Sequence, residues 1–139
     1  MLKNRFSLCL AVCLLSVILF NPAYALEEAH EDEMSRYIGV HNIISGLTID
    51  SSGSAVCDAG GWISSGYTAD LRISLYRVDN DFFQLISYWD VGTVSGRFTR
   101  TRSCSVEHGT YYSQAKLVVH DSDGNYVETV YEASPDYIY

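Results

Sequence analysis

The residues of this 139-residue chain with chemistry to offer are few, and their spacing argues against catalysis. Cys57 and Cys104 stand outside the apolar N-terminal run, which holds Cys9 and Cys13. An isolated pair of thiols in an exported chain forms one disulfide, and without a Cys-x-x-Cys arrangement it has no redox motif. His30, His41, His108 and His120 lack the close paired spacing of a zinc site. No Gly-x-Ser-x-Gly nucleophile elbow occurs. Carboxylates scattered over an acidic chain do not by themselves make the pair that hydrolyses a glycoside. Asp121-Ser122-Asp123-Gly124-Asn125 starts like a calcium loop, but Glu132, the glutamate nearest the required position, falls inside a predicted strand. The loop reads as a hairpin turn. The expectation is a non-enzymatic protein with no catalytic residue, no metal and no cofactor.

The elements that would position any site begin with a processing signal. Lys3 and Arg5 precede an apolar run from Phe6 to Phe20, too short for a membrane span, and Asn21-Pro22 ends it. Ala23 and Ala25 are the small residues a signal peptidase reads, so residues 1–25 are expected to be removed by cleavage before Leu26, leaving a secreted, extracellular protein. Cleavage removes two of the nine basic residues and leaves seven against seventeen acidic ones, a formal net charge of −10. That balance excludes nucleic acid as a partner, and no later segment is apolar enough for an integral membrane span. Residues 26–36, with Glu27, Glu28, Glu31, Asp32 and Glu33, read as an acidic flexible arm.

From residue 37 to 139 the text becomes short alternating runs rich in Val, Ile, Thr and Tyr, divided by Gly, Asp, Asn and Ser. Seven strands are predicted: Val40–Ile49, Ser54–Ile63, Ala69–Val78, Phe82–Trp89, Arg97–Val106, Thr110–His120 and Tyr126–Ala133. The expected fold is all-β, an immunoglobulin-like or fibronectin III-like antiparallel sandwich. Period-two alternation turns Leu71, Ile73, Leu75 and Ala115, Leu117, Val119 inward, with a smaller stripe of Ala55, Cys57 and Ala59 facing Trp62 or Trp89. The strand Arg97–Val106 is polar on both faces and reads as an edge. Gly109 precedes Tyr111 by two residues at the start of a long apolar strand, the setting of a tyrosine corner, and Ser113 then stands where an antibody domain carries its second inter-sheet cysteine. A Cys57–Cys104 disulfide would join the second and fifth strands within one sheet and contribute up to about 4 kcal/mol.

Several short motifs carry a resemblance: Gly46-Leu47-Thr48-Ile49, Ser52-Gly53-Ser54-Ala55, the strand centred on Leu75, Trp89, Gly109-Thr110-Tyr111-Tyr112 and Glu128-Thr129. With the signal segment, the chain resembles an uncharacterised family of small secreted β-sandwich proteins of Gram-positive, largely clostridial-type bacteria. The resemblance implies the sandwich and the secretion, and it carries no catalytic or ligand residue.

With the inward triplets fixed, Arg72, Ser74, Tyr76 and Tyr112, Gln114, Lys116 point outward from one sheet, and Tyr88 and Tyr126 are neighbours that can join them. Tyr76, Tyr112, Gln114 and Lys116 are the candidate ligand-binding residues, since tyrosines among hydrogen-bonding groups suit sugar rings or a protein partner. The same tyrosines also serve as ordinary cross-strand pairs on a solvated sheet. The expected function is a binding module for an extracellular or cell-surface ligand, a glycan or a protein. The alternative is a structural or interaction protein of the cell envelope or spore surface, and a secreted hydrolase is a distant third.

Overall fold

The computed structural model describes residues 36–139; the expected signal segment and nearly all of the acidic arm lie outside the described residues. Eight strands follow one another: β1 (Val40–Ile49), β2 (Ser54–Ile63), β3 (Thr68–Asp79), β4 (Phe82–Val94), β5 (Arg97–Ser105), β6 (Thr110–His120), β7 (Tyr126–Ala133) and the short β8 (Tyr137–Ile138). They form two antiparallel sheets, one ordered β1-β2-β5 and the other β4-β3-β6-β7, with β8 also pairing β6. The chain crosses between sheets after β2, β4 and β5, the partition of a fibronectin III-like sandwich.

The core follows from alternation. In β6 every second residue from Tyr111 to Val119 is buried, and Leu71, Ile73 and Leu75 of β3 are at most 2% exposed. Burying each large aliphatic chain stabilises the fold by roughly 1.5–3 kcal/mol. From the facing sheet come Val40, Ile43, Ile49, Ala55, Cys57, Ala59, Ile63 and Phe98. Of the two tryptophans, Trp89 packs partly against this core, whereas Trp62 points to the outer face of its sheet.

Two of the hairpin turns, β1–β2 and β6–β7, rest on matched aspartates. Asp50 Oδ1 accepts from Ser52 N, Ser52 Oγ and Ser54 N, and Asp121 Oδ1 accepts from Asp123 N and Asn125 N. The Asp121 loop is therefore a turn held by its own carboxylate. Gly53 closes the first turn at φ +83°, where an added Cβ would lie 2.6 Å from the Val106 carbonyl oxygen.

Three expectations are corrected. β4 runs to Val94 instead of stopping at Trp89: bulges at Ile86 and Val91 absorb the irregularity, so Asp90 and Gly92 do not end the strand. The two-residue β8 was not anticipated, because Pro135 precedes it and two residues carry no periodicity. The Cys57–Cys104 disulfide is absent, and both thiols are free. β2 and β5 are neighbours, but their register sets Cys57 opposite Arg102 and Cys104 opposite Ala55. Such diagonal partners have Cα atoms about 7–8 Å apart, and a bridge needs less than about 7 Å.

Cys57 is fully buried, as is Ser113 of the facing sheet, whose hydroxyl has no hydrogen-bond partner. Desolvation pushes the Cys57 thiol up to about 11, with Ser113 opposing the shift and Cys104 adding to it. Cys57 and Ser113 thus occupy the second and sixth strands, the two that an antibody domain joins by its inter-sheet bridge.

Candidate functional site

The outer face of the β4-β3-β6-β7 sheet is built in rows across the ladders. Val78 lies between Phe83 and Thr110; Tyr76 between Leu85 and Tyr112; Ser74 between Tyr88 and Gln114; Arg72 between Asp90 and Lys116. β7 extends two of these rows with Ala133 beside Gln114 and Tyr131 beside Lys116. Tyr76, Tyr112, Gln114 and Lys116 therefore share one surface.

Aromatic contacts organise it. Tyr76 and Tyr112 stack with centroids 5.0 Å apart, and Phe83 meets Tyr112 edge-on at 5.8 Å. Such cross-strand pairs contribute about 0.2–1 kcal/mol each. Partial burial, and secondarily the neighbouring Tyr76, push the Tyr112 phenol above its usual range. Ser74 departs from the expected exposure: it faces outward but is 6% exposed, because its direct neighbours Tyr88 and Gln114 are much larger.

A polar region adjoins the stack. Arg72 makes a two-pronged ion pair with Asp90, Nε–Oδ1 2.6 Å and Nη2–Oδ2 3.1 Å, and its guanidinium lies 4.8 Å from the Tyr88 centroid. The pairing raises the guanidinium's pKa and holds the Asp90 carboxyl below the usual carboxylate range. Lys116 sits 5.8 Å from the Tyr131 ring. A hollow of about 390 Å³ lies here, lined by Asp70, Arg72, Asp90, Gly92, Lys116 and Val118 among others. The surface offers ring faces, two carboxylates (Asp70 and Asp90) and two cations (Arg72 and Lys116). It holds no nucleophile activated by a base, and no cluster of three metal-ligating side chains occurs among the described residues.

Set against protein-family models and against characterised proteins, the chain matches none.

Tyr111 stands apart from this surface. It is buried and its hydroxyl donates to the Glu107 carbonyl at 2.9 Å, four residues upstream, which ties the β5–β6 connection to the start of β6. Tyr88 and Tyr126, whose facing the alternation left open, are both exposed, and Tyr126 lies opposite His120 at the far end of the sheet.

Sequence reasoning missed Phe83, Leu85 and Tyr131 on this face. Their alternation within Phe82–Leu85 and Thr129–Tyr131 was available, but the bulge at Ile86 shifts the parity of β4 and hides which members face out.

Proposed function

We propose that the chain is an exported, non-catalytic binding module. It uses the tyrosine face of the β4-β3-β6-β7 sheet to hold an extracellular or cell-surface ligand. The observation that carries the reading is the Tyr76–Tyr112 stack with Phe83, continuous with exposed Leu85, Tyr88 and Tyr131. Exposed aromatic patches of that extent on a small domain mark interaction surfaces. Tyrosine supplies apolar area with a polar tip, and Gln114 and Lys116 add hydrogen bonds beside it. Export by the segment 1–25, in a bacterial cell of the kind the family resemblance implies, would place this face where such ligands occur.

The test replaces Tyr76 and Tyr112 together with serine, checks the fold by thermal melting, and measures attachment to cell-wall glycans and to intact cells. The reading requires at least a tenfold loss in one assay. Unchanged attachment in both removes this face.

A second reading, an envelope structural or interaction protein, is favoured by one observation. Edge strand β4 presents Phe82 at 79% and Phe83 at 65% exposure, on a run without charge from Phe82 to Trp89. Cross-linking to neighbours on the producing cell through β4, with no glycan binding, would select it.

A further inference from the structure

A second site lies on the opposite sheet, where an arginine meets an indole instead of a carboxylate. Arg72 and Arg77 each meet a carboxylate, Asp90 at 2.6 Å and Asp79 at 3.2 Å. Arg97 meets none among the described residues. Its guanidinium instead lies 4.9 Å from the Trp62 ring centroid, its direct cross-strand neighbour. The His41 ring packs on the same indole at 4.1 Å, and Asn42 stands opposite Trp62 from β1. Between them is a hollow of about 260 Å³ lined by Asn42, Gly61, Trp62, Arg97, Phe98 and Thr99.

The groups around that hollow call for a particular ligand. A guanidinium fork is matched by a carboxylate, which it grips by two charge-assisted hydrogen bonds. The Asn42 amide and the Thr99 hydroxyl both donate and accept, as sugar hydroxyls require. Trp62, 41% exposed, gives apolar surface for the C–H side of a ring. Thr99 and Thr101 share this outer face of β5 with Arg97, whereas Arg100 and Arg102 alternate to its other face, so Arg97 is the cation of the hollow. We infer that the Trp62–Arg97 hollow binds a sugar acid, the uronate unit of an anionic polysaccharide, with Arg97 on its carboxylate. The site is separate from the tyrosine face, so either can fail without the other.

The test titrates the full chain with a glucuronate-containing tetrasaccharide, with a neutral tetrasaccharide of equal length, and with sodium sulfate. Binding is followed by the Trp62 and Trp89 indole N–H resonances. The uronate should move the Trp62 signal saturably and leave that of Trp89 in place, while the neutral sugar does neither. Arg97→Gln should weaken binding at least tenfold, the loss expected for a charged hydrogen-bonded pair. Arg97→Lys, which keeps the charge and loses the fork, should fall between and serves if the first variant melts early. No Trp62 shift at 20 mM uronate, an equal response to the neutral sugar or to sulfate alone, or full affinity in both variants would overturn the assignment.

Discussion

β4 and β5 are edge strands of different sheets, joined by the short link Ser95-Gly96, yet they treat their free edges in opposite ways. On β5 the Arg100 and Arg102 guanidiniums fold back onto carbonyls of their own strand, Thr99 O at 2.8 Å and Thr101 O at 2.7 Å. A carbonyl so occupied has less to offer an arriving strand, and the charges repel a second copy of themselves. On β4 no side chain caps the backbone among the described residues, and Phe82, Phe83, Leu85 and Ile86 are exposed. Its protection is the pair of bulges, which break the ladder into short stretches. One edge is guarded by charge and the other by irregular backbone. The unguarded apolar side chains of β4 adjoin the face proposed to bind, where a fully charged edge would be a hindrance.

The largest expected effect comes from removing the charged guard. Arg100→Ser with Arg102→Ser should raise self-association at least tenfold in sedimentation velocity, and Phe83→Lys with Leu85→Lys should lower binding of hydrophobic dyes without any association. If the arginine variant stays as dispersed as the parent chain, bulges and shape suffice and the contrast between the edges loses its meaning.

Thiol reactivity sharpens the same contrast one strand further in. Cys104 lies on the edge strand and is partly exposed, whereas Cys57 is buried and its thiol is pushed up to about 11 by desolvation. Alkylation at pH 8 should modify Cys104 at least tenfold faster, with Cys57 reacting only as the domain opens. Comparable rates would show that β5 peels away easily despite its arginines.

A smaller effect is expected at Tyr111, in the sheet with the open edge. Tyr111→Phe removes the bond to Glu107 and should cost about 1 kcal/mol. Hydrogen exchange should locate the loosening in β6 and β8 and leave β2 untouched; an even loss across both sheets would contradict this.

The smallest effects belong to the matched turn aspartates, one in each sheet. Hydrogen bonds to the charged form hold both carboxyls below the ordinary aspartate value of 3.8, from the Ser52 side chain first at Asp50 and from the Asn125 backbone first at Asp121. The unfolded chain therefore takes up protons first as pH falls. The stabilisation is full above 3.8 and is lost below it, through the lower folded values. Asp50→Asn and Asp121→Asn should each flatten the fall in melting temperature between pH 5 and pH 2 by similar amounts. A clear inequality would show that the two sheets differ in local stability at their turns.

Strands and core were legible in the sequence because alternation acts locally: Leu71, Ile73 and Leu75 declare their side by period alone, and Thr110–His120 does so without a break. Features that depend on the meeting of distant strands were not. Cys57 and Cys104 fell in the right neighbouring strands, but a register offset by two residues separates them, and no local pattern encodes an offset. The Trp62–Arg97 pair comes from that same register. Tyr76 and Tyr112 were legible as facing outward, but their stacking depends on the β3–β6 register and the approach of Phe83 on the bulge at Ile86, neither of which a local alternation expresses.

The lacing of the first strand to the last part of the chain has a mechanical consequence. Gly39 N–H donates to Glu128 at one end of β1, and at the other end the Tyr137 and Tyr139 hydroxyls reach the Ile49 and Ser51 carbonyls. Residues 39 and 139 thus sit at opposite ends of a ten-residue strand, about 30 Å apart at ~3.3 Å per residue. Tension applied between them runs along the strands. It loads the ladder bonds together in shear, as in a rope splice, where a pull across the strands would open them one at a time.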